Sequence, residues 1–148
     1  VSEDVNKILG ADGAGQMVRV GGKEWHILPP NDDCWALFQA WLESEARRTL
    51  VAGKEDLGDE YGFAMDRMLT QIASGHYARG KEAFRDAMAS PEGGLRLLAI
   101  LMRQKHSSLT DAQVRKLVES DPEQFKLAFK SAIEARLPKE PGPREDGS

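Results

Sequence analysis

The chain is poor in the residues that announce most chemistries. A single cysteine, Cys34, stands in 148 residues, so neither an internal disulfide framework nor a cysteine-based zinc site can form. It lies at the head of an apolar helical run, which predicts a buried, inert thiol and suits a reducing cytoplasm. The three histidines, His26, His76 and His106, fall in a strand, at a helix end and in a turn. None has a partner at the i, i+3 or i, i+4 spacing of a helical metal site, and no metal is expected. No apolar run approaches the ~18 residues that span a bilayer. The opening "VSEDVNKILG" lacks the basic flank and apolar core of a signal peptide. Charge of one sign is not in large excess either. A net charge of -4 does not suit a protein whose whole surface serves nucleic acid or an anionic membrane.

Signatures of catalysis are also missing. The glycines of "GADGAG" do not sit between a strand and a helix, so they make no phosphate cradle. "GGK" at Gly21 to Lys23 is a hairpin turn and not the end of a P-loop. Glu55, Asp56, Asp59 and Glu60 gather in "KEDLGDE", but their oxygens are not spaced as a calcium loop requires, and the segment reads as a solvated loop. No serine or cysteine carries a local nucleophile signature. The expectation is a protein that is not an enzyme, with no cofactor and no small-molecule substrate.

What is present is helical grammar. After a patternless lead-in over residues 1–16, "MVRVGGKEWHIL" alternates Val18 and Val20, then Trp25 and Ile27, around Gly21-Gly22. That is a β-hairpin whose glycines supply the positive φ of the turn. "PPNDD" stops the second strand, and Asp32 or Asp33 is placed to cap a helix. In "CWALFQAWLESEARRTL" the residues Trp35, Phe38, Trp41, Leu42 and Ala46 recur at helical spacing, with Arg47 and Arg48 near the negative end. A polar loop over "VAGKEDLGDE" follows. The next helix carries Tyr61, Met65, Met68, Leu69 and Ile72 on one stripe. It frays near Gly75 and stops by Gly80. A short helix holds Phe84 and Met88. Ser90-Pro91 then caps and opens a helix that is apolar on nearly every side from Leu95 to Met102. Thr110 and Gln113 form a capping box, with Leu109 and Val114 as the accompanying staple. Asp121-Pro122 starts the last helix, with Phe125, Ala128, Phe129, Ala132 and Ile133 on its stripe until Pro138 ends it. The predicted class is mostly α: a small helical bundle with an N-terminal β-hairpin. It forms a single domain over residues 17–137, before a disordered tail over 138–148.

Two binding surfaces compete. Trp35, Phe38, Trp41 and Leu42, with Leu37, cover a wide arc for one helix, so one side can bury in the bundle while another meets a partner protein. The alternative is the stretch "LLAILMRQKHSSLTDAQVRKLVES", which has the outline of a DNA-binding helix-turn-helix. Arg103, Lys105, Arg115 and Lys116 could meet phosphates and Gln113 could read adenine. Against it stand Asp111 at the end that would enter the groove and a turn without glycine.

The order of features adds a resemblance. The "GGKEWHIL" hairpin, the helix "CWALFQAWLE" and the block from "ASGHYARGKEAF" to "RKLVES" resemble the tail assembly chaperones of long-tailed bacteriophages and prophages. The shared pattern is a central apolar helix (Leu97 to Met102), a basic-His stretch (Arg103 to His106) and an "LT" helix start (Leu109-Thr110) leading to Val118. It extends over roughly Val18 to Leu137 and consists of small and apolar positions. The resemblance implies a non-enzymatic role: coating a long tape-measure protein, recruiting tail-tube subunits around it, and absence from the finished virion. It also implies a longer form made by translational frameshift. Self-association into a homo-oligomer is compatible with it. Met65, Met68, Met88 and Met102 would suit either adaptable contact with a partner or ordinary core filling.

Overall fold

The computed structural model describes residues 15–135. It is mostly helical, with six helices and an N-terminal two-stranded antiparallel hairpin. The strands are β1 (Gln16–Val20) and β2 (Lys23–Ile27). The helices are α1 (Asp32–Ala52), α2 (Tyr61–Ala73), α3 (Glu82–Ala89), α4 (Pro91–Arg103), α5 (Asp111–Ser120) and α6 (Pro122–Glu134). The lead-in expected over 1–16 lies outside the described residues except at its inner edge. There Gln16 already pairs with Ile27, one residue earlier than hydrophobic alternation shows, because ladder hydrogen bonds do not need an apolar side chain. The tail expected over 138–148 and the helix end expected at Pro138 also lie outside the described residues.

These residues divide into two compact units, 15–31 with 98–135, and 32–97. Helix α4 contributes to both, changing unit between Leu97 and Leu98.

In the hairpin unit, Gly21 and Gly22 take φ of 58° and 82°, the left-handed pair that a two-residue hairpin turn needs. Val20 faces Lys23 across that turn, so Arg19↔Glu24 and Met17↔His26 are the pairs whose amides point away from the ladder. Two of these four amides find a side-chain acceptor: Arg19 N–H donates to Gln124 Oε1 of α6 at 3.3 Å, and His26 N–H donates to His106 Nε2 at 3.0 Å. The hairpin packs on α6, and Val18, Ile27, Phe125, Ala128 and Ala132 are buried. Before α5 the capping box forms as read: Gln113 N–H donates to Thr110 Oγ1 at 3.2 Å and Thr110 N–H donates to Gln113 Oε1 at 2.8 Å. Leu109 and Val114 are both buried. Asp121 caps α6 through Gln124 N–H at 3.2 Å, with Pro122 in the first turn.

In the helical unit, α1 packs against α2 and α3. It starts at Asp32, so Asp32 and Asp33 lie inside its first turn, where their charge meets the positive helix end. It also runs past Arg47 and Arg48 to Ala52, which leaves its last turn without a basic residue. Arg48 pairs instead with Glu45 one turn back. The loop expected over "VAGKEDLGDE" is a correction: Lys54–Leu57 form a helical turn and Gly58–Glu60 a 3-10 turn. Polar composition suggests a loop, but Lys, Glu, Asp and Leu are all compatible with helix.

The corner between α3 and α4 is tight. Ser90 Oγ accepts Gly93 N–H at 3.0 Å and donates to Ala87 O at 2.7 Å. A Cβ at Gly93 would stand 1.8 Å from Ala87 O, so only glycine lets the two backbones approach this closely.

Candidate protein-binding groove

The four residues proposed for partner contact separate once placed. Phe38 has no exposed surface. Its ring meets Phe84 edge-on at 5.1 Å and Trp41 at 5.5 Å, so it is a core residue and leaves the list of surface candidates. Trp35 and Trp41 are half-buried. Trp35 lies 5.9 Å from Phe84 with the Arg79 guanidinium 5.1 Å from its ring centre. Trp41 has the Arg96 guanidinium at 5.6 Å. Both indoles are therefore covered in part by cations of their own unit.

Leu42 lines a groove. From α1, Leu42, Ala46 and Leu50 fall at i, i+4 and i+8, with Glu45 and Thr49 beside them; α2 supplies Ala64, Arg67, Met68 and Gln71, and Tyr77 completes the wall. The space measures about 550 Å³, within the range of a site that takes a small ligand or several side chains of a partner. Its cause is local. Ala46 and Ala64 present a single methyl each where larger residues would fill the seam between two helices. Charge is confined to Glu45 and Arg67, and Glu45 is engaged by Arg48. Four exposed apolar side chains belong to the same two helices: Phe63 at 71 %, Leu37 at 58 %, Val51 at 53 % and Leu69 at 44 %. The sequence pattern missed Ala64 and Phe63, because an alanine between stronger residues and one extra aromatic carry no periodic signal.

The five residues of the DNA alternative are divided as well. Arg103 donates from Nε to Leu109 O at 2.7 Å and pairs with Asp111 through Nη2. Gln113 has its oxygen in the capping box. Two of the proposed contacts are thus committed to holding the turn before α5. Lys105, Arg115 and Lys116 are exposed.

Among the described residues no group of three or more His, Cys, Asp or Glu could hold a metal ion, and no helix is long and apolar enough to cross a membrane. Cys34 is buried. The chain matches no protein-family model, no curated protein and no solved structure.

Proposed function

We propose that this protein binds other proteins through the α1–α2 groove, without catalysis, and serves as a tail assembly chaperone of a long-tailed phage or prophage. In that role it would act in the host-cell cytoplasm, shield the tape-measure protein, help to recruit tail-tube subunits, and be absent from the mature virion. The observation that carries the binding half of this reading is the groove itself, an apolar seam about 550 Å³ in volume on helices that also expose Phe63 and Val51. Such a seam suits an amphipathic helix, which would insert apolar side chains at i, i+3, i+4 and i+7. The phage half rests on the resemblance in the order of the hairpin, the tryptophan helix and the "LT" helix start.

Two experiments separate the halves. Sequencing downstream of the Ser148 codon should find an overlapping frame that extends this protein, followed by one very long gene of helical repeats. An isolated gene with an operator-like palindrome would sink the phage-chaperone assignment. Co-expression with the product of that long gene should then keep it soluble. Leu42→Asp, or Ala64→Leu to fill the seam, should abolish solubilisation while the variant keeps its native circular dichroism. If both folded variants still solubilise the partner, the groove is not the site.

A further inference from the structure

The hairpin unit holds a second, smaller recess, independent of the groove reading. Val20 and Trp25 of the hairpin and Gln113, Lys116, Leu117 and Ser120 of α5 enclose about 270 Å³. Its polar groups are largely spoken for. Gln113 Oε1 accepts Thr110 N–H, and Ser120 Oγ donates to Leu117 O at 2.6 Å. What remains for a ligand is an apolar slot formed by Val20, Trp25 and Leu117, with ammonium groups at its edge. Lys116 is exposed and makes no ion pair among the described residues, and Lys23 Nζ stands 4.4 Å from the centre of the Trp25 ring. The nearby carboxylate of Glu24 is taken by Arg19 at 2.6 Å, and that of Asp121 by the cap of α6.

We infer that this slot binds an acidic peptide segment of a partner protein, one that seats a single apolar side chain between Val20, Trp25 and Leu117 and sets flanking carboxylates against Lys116 and Lys23. Charge complementarity selects this occupant. Lys116 is exposed and Lys23 stands beside Trp25, while the carboxylates of Glu24 and Asp121 are already engaged. The recess is too apolar to recognise a peptide by charge alone. A nucleobase would need an open ring face to stack on, and Lys23 already lies over the face of Trp25. The lysines add steering and orientation, and the buried apolar anchor adds affinity.

The test is fluorescence anisotropy of a short labelled peptide of aspartates and glutamates around one central phenylalanine, titrated with the full chain. Saturable binding is expected, weakening as salt rises. It should fall about tenfold in Lys116→Glu and by a similar factor when alanine replaces the central phenylalanine. Lys130→Glu, elsewhere on the unit, should leave it unchanged. Lys116 is exposed, so its substitution is not expected to disturb the fold, and circular dichroism checks this. Absence of binding, equal binding of the phenylalanine and alanine peptides, or indifference to Lys116→Glu would overturn the inference. So would tighter binding of a labelled single-stranded oligonucleotide, lost in Lys116→Glu. Self-association in sedimentation velocity that Lys116→Glu abolishes would reassign the slot to a second copy of the chain and overturn it too.

Discussion

His106 holds the outer amide of β2 with a nitrogen that can accept a hydrogen bond only while it is unprotonated. The ring sits 5.0 Å from Trp25 and 5.8 Å from the His26 ring. Desolvation first, and then the charges of His26, Lys105 and Lys23, hold its pKa below the ordinary 6.5. The unfolded chain therefore binds this proton more readily than the folded one, and stability rises with pH across that interval. The contribution is fully present above 6.5 and is lost as pH falls below 6.5 toward the folded value. Urea midpoints taken from about pH 7.5 down to about pH 5.5 should decline in the wild type, and the decline should flatten in His106→Leu. At the upper end that variant should be less stable by about 1 kcal/mol, because the His26 amide loses its acceptor. An unchanged slope would show that the clasp does not titrate. Gly93 makes an equally local demand. Gly93→Ala drives a methyl into Ala87 O and should cost about 3 kcal/mol in the same assay. Ser90→Ala, which removes the cap on Gly93 N–H and the bond to Ala87 O, should cost about 1 kcal/mol. Equal costs would mean that the corner relaxes. The cap was legible in the sequence as Ser90-Pro91. The glycine was not, since a backbone contact between successive helices leaves no trace in periodicity.

At the scale of the element, α1 shows how far helical spacing reaches. Trp35, Phe38, Trp41, Leu42 and Ala46 do lie on a helix, but spacing cannot say which part of a wide apolar arc is core. Packing decides it: Phe38 meets Phe84, while Leu42 and Ala46 face the seam with α2. Phe38→Ala should therefore destabilise the fold by about 3–5 kcal/mol, whereas Leu42→Ala, at a half-buried groove position, should cost clearly less. Chemical denaturation of the two variants checks the order, and its reversal would place the core on the other side of α1. The hairpin, α3, the capping box of α5 and the proline start of α6 were all readable, because each rests on chemistry within a few residues. The turns from Lys54 to Glu60 were not, because a polar segment with good helix formers satisfies a loop and a helix equally well. The groove was half readable. Leu42 stood out by its spacing; Ala64 matters by being small, which is a property of its neighbours as much as of itself.

For the whole molecule the deciding quantity is where charge can go. A helix-turn-helix would have to deliver a basic surface and the amino end of α5 to a duplex. Here that end carries Asp111, which Arg103 neutralises, while Gln113 closes the cap with Thr110. Turning Gln113 toward a base would break the capping box and cost about 1 kcal/mol before any contact was made, and freeing Arg103 would leave Leu109 O without its donor. Lys105, Arg115 and Lys116 are exposed on a chain of net charge -4, and three phosphate contacts would support only a shallow dependence on salt. A labelled duplex titrated with the protein in low-salt buffer should show no saturable binding, and Arg115→Glu with Lys116→Glu should change nothing in that assay. Tight binding with a steep loss as salt rises, abolished by the two reversals, would refute this and require the turn before α5 to reorganise on DNA. The capping box supplies the internal control. Thr110→Ala loosens α5 by about 1 kcal/mol; it would free Gln113 and strengthen duplex binding if reorganisation limits it, and would leave binding undetectable if the helix is simply structural.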